Sequence, residues 1–336
     1  MPSLKQRLYS NKSLFKLDHY IRSLIKLMFA RQRCPGNIKR ALSFYDSLPT
    51  EQRAQINKRV NYYNKLDTIF SADEADMLAA NYTRQNSWTY HLDFKPLLAC
   101  LPDKFRFNLL FGDITHIPEK PTFVKSRPVR KGANNMNSVL LKLNKVRHYF
   151  MPTDPNDFLS KKPMAVWRGS AHRDKRKHFV ELCYNKPMCD IGDVSDKSLG
   201  KPWHKEFMSI SEQLKYRYIL SVEGNDVSTN IKWIMASNSL CLMPKPEYET
   251  WFMEGSLKPG VHYIELKKDF SDLADKIAYY NANTDEALDI IQNANEYTRQ
   301  FLDSRKEYLI SLLVMDKYAR LSGQNGLFEQ GATHEP

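Results

Sequence analysis

The chain has 336 residues with a formal net charge of +12, and 42% of its residues are apolar and 26% charged. This length is enough for two domains with separate cores, and this composition excludes a wholly disordered chain. The excess of Lys and Arg predicts an anionic partner, for which nucleic acid, an anionic membrane surface and phosphorylated sugars are the candidates.

The cysteines and the apolar runs indicate the compartment. The five cysteines are scattered and form no CxxC pair, so we expect neither a disulfide framework nor a zinc site. Residues 1–11 are polar, unlike a signal peptide, and no apolar run reaches the roughly 18 residues of a membrane span. A cytoplasmic protein in a reducing compartment is the simplest expectation.

An amphipathic helix is predicted close to the N-terminus, with its cationic residues largely away from an apolar stripe. The stripe consists of Leu14, Leu17, Ile21, Leu24, Ile25 and Met28. Such a stripe is more often found on a helix that packs against its own domain. The alternative is a basic helix that touches an anionic bilayer.

The next part of the chain mixes helix and strand patterns. Helical patterns cover residues 38–48 and 71–81, and strand patterns cover 105–111 and 122–124, which lie a hairpin's distance apart. The proline-containing stretch at 152–163 predicts an interdomain linker.

From residue 164 onward, strand and helix patterns alternate. Strands are predicted at residues 165–167, 187–191, 218–222, 240–243 and 263–266. Helices are predicted at residues 173–184, 206–214, 228–237 and 273–280, with a mostly helical stretch at 286–321. This alternation predicts a parallel sheet with right-handed crossovers, which is a Rossmann-like arrangement.

Two segments, 167–176 and 221–232, share one order: an apolar run, a glycine with small hydroxyl residues, and then cationic helix-forming sequence. A strand that ends in a tight turn and opens a helix has this order, and its first helical amides can face an anion. In the first turn, Ser170 could bind a phosphate or ribose, and Arg176 could bind a phosphate in bidentate fashion. A basic, solvated helix start explains the first segment equally well.

The second turn offers a different set of groups. Glu223 could accept hydrogen bonds from ribose hydroxyls, and Gly224 permits close backbone approach. Ser228 or Thr229 would cap a helix that carries Lys232. An ordinary turn between a strand and a helix is the alternative, but two such turns facing one cleft could hold a diphosphate.

Asp113 follows the strand at 105–111, in a Gly-Asp-Ile-Thr-His turn. A carboxylate there could act as a general base that deprotonates a hydroxyl, although Gly-Asp turns are common and a structural role explains it more simply. His116 is a weaker candidate. The sequence lacks GxGxxG, a Walker-type phosphate loop, HExxH and Asp-x-Asp, which weighs against nicotinamide, ATP and metal sites.

With these segments the chain resembles glycosyltransferase family 90, which includes capsule-associated xylosyltransferases, protein O-glucosyltransferases and bacterial lipopolysaccharide core transferases. The resemblance rests on Trp167-Arg168-Gly169-Ser170 with Arg176, and on residues 215–228, 237–244, 251–252, 257–259 and 262–264. Residues 123–128 and 137–143 are similar to the bacterial lipopolysaccharide branch. The ordered match covers roughly residues 105–273.

The resemblance implies an α/β fold of the GT-B type, with two Rossmann-like domains and the active site in the cleft between them. We expect an acceptor-side domain at 1–155, a nucleotide-sugar domain at 156–290 and C-terminal helices that cross back at 291–336. The resemblance also implies inverting transfer of a hexose from a UDP-sugar, without a cofactor or metal. The expected acceptor is a lipopolysaccharide or lipooligosaccharide core at the inner face of the cytoplasmic membrane, without nucleic acid as a partner.

The same resemblance assigns site residues. Asp113 matches the family's catalytic base, and acceptor-side contacts are expected from His116, Lys125 and Arg127. Donor contacts are expected from Arg168, Gly169, Ser170, Arg176, Glu223, Gly224, Ser228, Asn230 and Lys232. Many eukaryotic members carry Arg where this chain has Asn230, and Lys232 could supply part of the missing charge.

Two other functions remain open from the sequence. A nucleic-acid-binding protein would use the basic residues and the 12% aromatic residues, although its usual motifs are missing. A sugar phosphotransferase would need Mg²⁺ and ATP, for which no loop is present.

Overall fold

The computed structural model describes residues 12–73, 76–85, 87–129 and 135–328. Their helices are α1 (Lys12–Met28), α2 (Ala30–Ser47), α3 (Thr50–Tyr63), α4 (Trp88–Leu98), α5 (Lys145–His148), α6 (Asp174–Cys183), α7 (Ile210–Gln213), α8 (Ile231–Met235), α9 (Leu273–Ala282), α10 (Thr284–Arg299) and α11 (Ser304–Leu321). Their strands are β1 (Met77–Leu78), β2 (Arg106–Leu110), β3 (Thr122–Val124), β4 (Ser126–Pro128), β5 (Ser138–Leu140), β6 (Lys162–Gly169), β7 (Cys189–Asp193), β8 (Tyr216–Leu220), β9 (Leu240–Pro244), β10 (Tyr248–Thr250) and β11 (Ile264–Leu266).

The chain divides into two compact units, each of them α/β. The five-stranded unit is formed mainly by Arg147–Glu247 and Phe252–Gln300, and the four-stranded unit by Lys16–Val146, Tyr248–Trp251 and Phe301–Pro336. The C-terminal helix α11 therefore belongs to the same unit as the N-terminal half of the chain. The predicted α/β class with parallel sheets is confirmed, and the GT-B arrangement of two domains stays a prediction.

The five-stranded unit contains an all-parallel sheet in the order β11-β9-β8-β6-β7. Strands β8 and β9 and the middle of β6 are buried, as expected for parallel strands that are covered on both faces. Counted along the chain, the order is 2-1-3-4-5, which is one of the two common doubly wound orders. The direction of the order reverses between β6 and β8, so the switch point of the sheet lies there.

Two predicted helices of this unit are much shorter than expected. Residues 206–214 contain only α7, which begins with a capping box between Ser209 and Glu212 and ends as the chain enters β8. Residues 228–237 contain only the five residues of α8, whose first residue follows Asn230 without a side-chain cap. Helix therefore covers four of the nine residues at 206–214 and five of the ten at 228–237.

The four-stranded unit has the sheet order β1-β2-β3-β5 and a separate antiparallel pair, β4 with β10. The predicted hairpin between 105–111 and 122–124 is wrong, because β2 and β3 pair in parallel with Asn108 opposite Thr122. Residues 111–121 carry the chain back to the start of the sheet, as a parallel pair requires.

The predicted helix at 71–81 is also wrong in the described residues, which leave out 74 and 75. Met77 and Leu78 form the edge strand β1 against β2, and the Ala79 amide donates to the Phe105 carbonyl at 2.8 Å. Pairing with β2 thus overrides the local helical pattern.

The scattered cysteines predicted no disulfide framework, but two of them pair in the structure. Cys34 in α2 forms a disulfide with Cys100, which follows α4. The two residues are 66 positions apart in the sequence, and the packing of α2 against α4 brings them together. No short sequence motif therefore predicts this pairing.

Helix α1 forms as predicted, but its apolar stripe is exposed rather than packed against the protein. Within the described residues, none of the helices combines the length and apolar character that a membrane span requires.

Candidate functional site

The two glycine turns lie at the carboxyl ends of β6 and β8, the two strands that flank the switch point of the five-stranded sheet. In open sheets of parallel strands, ligands bind in the crevice outside the carboxyl ends of the strands at this point. The strand order therefore explains why two sequence segments separated along the chain can serve one site.

Arg176 in α6 connects the two turns. Its Nε donates to the Val222 carbonyl at 3.0 Å, and its guanidinium carbon lies 6.0 Å from the centre of the Trp167 ring. A Cβ atom at Gly224 would lie 3.4 Å from that guanidinium carbon. The guanidinium thus lies between the turns and close to Gly224, where it can meet an anion.

The first turn is held by a residue that the sequence did not single out. Asp193, at the end of β7, accepts the Ala171 amide at 3.1 Å and the Ser195 amide at 2.9 Å through one carboxylate oxygen. Ser170 Oγ lies 2.9 Å from His172 Nδ1 and remains at the surface. Helix α6 then starts without a side-chain cap, so its first amides are not covered by an N-cap side chain.

Arg168 and Gly169 are the last two residues of β6, the strand that precedes this turn. A Cβ atom on Gly169 would lie 2.8 Å from the Trp167 ring, so this position excludes larger residues. Arg168 points to the neighbouring strand, where it donates to an Asp190 carboxylate oxygen at 2.6 Å and to the Asp190 carbonyl at 2.7 Å. In this arrangement Arg168 links β6 to β7, and its expected donor contact stays a prediction.

Asn230 ties the second turn to its strand. Its Nδ2 donates to the Leu220 carbonyl at 2.9 Å, and its Oδ1 accepts from Ser228 Oγ at 2.5 Å. The Asn230 amide therefore connects the end of β8 to Ser228 in the turn before α8. This link keeps the turn in shape at the position where many eukaryotic members have Arg.

Lys232 has a different environment from the one expected. Its side chain is 0% exposed, and its Nζ donates to Glu254 Oε1 at 2.7 Å, with Glu254 2% exposed. The Phe252 ring centre lies 5.4 Å from the ammonium. A buried, paired ammonium is held in the interior, so the structure gives no support to a phosphate contact by Lys232.

A cavity of about 160 Å³ lies beside the second turn. For comparison of size, a cavity of about 150 Å³ in another protein holds a benzene ring. Its walls include the apolar side chains of Val222, Val227, Ile231, Met243, Pro244 and Phe270. Glu223, Ser228, Lys175, His178, Glu247 and Lys268 also line it. Apolar walls with charged groups suit a flat heterocycle joined to a polar sugar.

The charged groups around this cavity are linked to each other. Lys175 Nζ lies 2.7 Å from Glu247 Oε2 and 3.5 Å from Glu223 Oε2, and Lys268 Nζ donates to Glu247 at 2.7 Å. The hydrogen bond from Lys175, followed by that from Lys268, lowers the pKa of Glu247. Glu223 accepts the Glu247 amide at 3.0 Å. The sequence pointed to Glu223 alone, because the other partners are far apart along the chain.

Asp113 lies in a loop of the four-stranded unit whose shape depends on its neighbours. Gly112 has φ +109°, a conformation that favours glycine, and the Ile114 amide donates to Ser126 Oγ at 3.3 Å. Lys125 Nζ donates to Asp113 Oδ1 at 2.7 Å, with Lys125 3% and Asp113 34% exposed. A buried ammonium thus holds one oxygen of a carboxylate that reaches solvent, an arrangement that can orient a general base.

The two other acceptor-side candidates, Arg127 and His116, differ in their exposure to solvent. Arg127 is completely buried and donates to Glu249 and to the carbonyls of Tyr62, Tyr63 and Ser138. Its donors connect β4 and β10 to the end of α3, so the structure places it in the interior and lends no support to an acceptor contact. His116 is exposed on the loop after Asp113.

Across the described part of the chain, no three His, Cys, Asp or Glu side chains come together in a way that could hold a metal ion.

A doubly wound sheet with two glycine turns and an Arg at its switch point is compatible with an enzyme that uses a nucleotide-linked substrate. Comparison with known proteins makes the class specific: residues 132–334 match the family described as glycosyl transferase family 90. The chain belongs to this family and is a glycosyltransferase. The family resemblance found in the motifs is thereby confirmed.

Two relatives show how far the similarity extends. The chain is 49% identical over 280 residues to O-glucosyltransferase LpsA of Dichelobacter nodosus, which covers 83% of this chain and 87% of that protein. It is 29% identical over 171 residues to human protein O-glucosyltransferase 3, covering 48% of this chain and 33% of that protein. The family match includes both glycine turns, whereas Asp113, Lys125 and Arg127 precede it.

Proposed function

We propose that this protein transfers a hexose, with glucose as the first candidate, from a UDP-sugar to a hydroxyl of a lipopolysaccharide or lipooligosaccharide core. The transfer proceeds with inversion at the anomeric carbon and without a metal ion. The observation that carries the proposal is the pair of turns at the switch point, joined by Arg176 beside Gly224. Similarity to two proteins named as O-glucosyltransferases favours glucose.

The diphosphate, the ribose and the base of the donor would each contact a different part of the five-stranded unit. The diphosphate would meet the Arg176 guanidinium and the first amides of α6, which favour negative charge. The ribose hydroxyls would donate to Glu223, and the base would enter the apolar cavity beside the second turn. Each assignment pairs a chemical group of UDP with side chains of matching character.

The reaction needs one base and a stabilised leaving group. Asp113 would accept the proton of the acceptor hydroxyl as that oxygen attacks the anomeric carbon from the face opposite UDP. The bond from the sugar to UDP breaks as the new bond forms, and the departing diphosphate gains negative charge. Arg176 and the α6 amides would stabilise this charge without reorganising, which is the usual source of a large rate effect.

The proposed acceptor rests on charge and on similarity. A phosphorylated core held at the inner face of the cytoplasmic membrane suits a protein with a net charge of +12. The similarity to LpsA over most of both chains supports a bacterial O-linked acceptor.

A panel of UDP-sugars tests the proposal directly. The full-length protein is incubated with UDP-glucose, UDP-galactose, UDP-N-acetylglucosamine or UDP-xylose, and UDP release is measured with and without truncated core oligosaccharide. We expect UDP-glucose to be used fastest, with an acceptor mass increased by one hexose and an anomeric configuration opposite to that of the donor. Retention of configuration, or transfer from none of these donors, would contradict the proposal.

A further inference from the structure

Helix α1 presents its apolar side to solvent. The six residues of its apolar stripe are between 44% and 69% exposed. They are Leu14, Leu17, Ile21, Leu24, Ile25 and Met28. Phe29, directly after the helix, is 40% exposed and continues the same surface. Scattered exposed apolar residues are normal, but a continuous stripe over a 17-residue helix marks an interaction surface.

The opposite side of the helix faces the protein, with Tyr20 and Leu27 half-buried and the Phe15 ring centre 5.1 Å from that of Phe150. Ser23 is buried there, and partial burial lowers the pKa of His19, which interacts electrostatically with Asp93 and Lys145. An ordinary surface helix turns its apolar side inward and its polar side to water. The exposed stripe of α1 is instead an apolar surface that water disfavours and that a partner can cover.

The charge around this surface identifies the partner. Residues 12–40 contain eight Lys or Arg and only one acidic residue, Asp18. Lys16, Arg22, Arg33 and Lys39 are all exposed. Such a helix, apolar on one side and flanked by cations, is typical of helices that lie on anionic lipid. A second copy of this chain would bring two cationic segments together, which repulsion disfavours.

We propose that α1 is an interfacial helix that lies in the plane of an anionic bilayer, with its exposed stripe among the acyl chains and its cations at the lipid phosphates. At about 1.5 Å per residue, its 17 residues extend over about 25 Å along the surface. This attachment is independent of the sugar donor and of the acceptor. It identifies the part of the chain that holds the enzyme at a membrane.

Vesicle binding tests the role of α1. The full-length protein is sedimented with vesicles of phosphatidylcholine alone or with phosphatidylglycerol added. We expect binding that requires phosphatidylglycerol and weakens as salt is raised. The triple variant Leu17→Ser, Ile21→Ser, Leu24→Ser should bind at least about tenfold more weakly, since three exposed apolar side chains are lost.

A matched control separates this surface from general surface hydrophobicity. The triple variant Ile69→Ser, Phe207→Ser, Leu302→Ser removes three exposed apolar side chains elsewhere and should bind like the unmodified protein. Circular dichroism and UDP release without acceptor should be unchanged in both variants, because the altered side chains lie in solvent. Equal vesicle binding by the α1 variant, or an oligomer that only this variant loses, would overturn the proposal.

Discussion

The Asp113 carboxylate is the group on which the proposed chemistry depends most. Asparagine has nearly the same shape but cannot accept the proton, so Asp113→Asn should lower kcat by about 10²- to 10⁴-fold. UDP affinity, measured by calorimetry, should be unchanged because the donor contacts are elsewhere. Asp46→Asn, at an exposed site on α2, is the matched control and should keep full activity. A fully active Asp113→Asn enzyme would remove Asp113 from this role.

Arg176 should contribute to donor binding rather than to proton transfer. Removing a charge-assisted contact to the diphosphate costs about 1.5–3 kcal/mol, so Arg176→Ala should weaken UDP binding by roughly 10- to 150-fold. Calorimetric titration with UDP measures this loss. Lys177→Ala changes the next residue of α6, which is exposed, and should bind UDP normally. Equal losses in both variants would point to general charge attraction instead of a specific site.

Single residues also show where sequence reasoning reaches its limit. The sequence predicts the candidate site residues that closely follow a strand pattern. These are Ser170, Arg176, Glu223 and Gly224. The burial of Lys232 against Glu254 could not be predicted, since the pairing depends on how α8 meets a segment more than twenty positions away. Local patterns predict which end of a strand a residue occupies, but not which tertiary partner it has.

Among the elements, α8 depends on its buried ion pair. Lys232→Met leaves the Glu254 carboxylate buried without its ammonium, which should lower the free energy of unfolding by about 3–5 kcal/mol. The double variant Lys232→Met, Glu254→Gln removes both charges and should recover most of this loss. Urea denaturation of the three proteins measures the differences.

The exposed pair of Lys268 and Glu247 provides the control for this experiment. Lys268 is 79% exposed, so Lys268→Met should leave the denaturation midpoint nearly unchanged. If Lys232→Met were as stable as the unmodified protein, the buried pair would not be what holds α8 in place.

The elements differ in how well the sequence predicts them. The strands β6, β8 and β9 lie within a few residues of their predicted positions, because buried parallel strands are short, continuous apolar runs between turns. The parallel pairing of β2 with β3 was missed, since strand spacing alone does not define direction. The sequence left open whether the apolar side of α1 is packed or exposed, because periodicity identifies an apolar side without showing what covers it.

At the scale of the whole molecule, the proposed absence of a metal has a simple test. Cationic side chains and helix amides would stabilise the departing UDP, so transfer should continue at an unchanged rate in excess EDTA. UDP release with each donor is the measurement. Inhibition by EDTA that Mn²⁺ reverses would contradict the proposed chemistry, while leaving the family assignment in place.

The course of the chain through residues 248–251 affects how the protein can be divided. These four residues belong to the four-stranded unit, although the residues on both sides of them belong to the five-stranded unit. Within the four-stranded unit, β10 pairs with β4, and the Trp251 ring stacks on the Tyr63 ring with 3.8 Å between their centres. A fragment of residues 147–300 would therefore carry a strand and a tryptophan that have lost their partners. The chain passes from one unit to the other and back at this point, so neither unit is a single continuous segment that one cut would release.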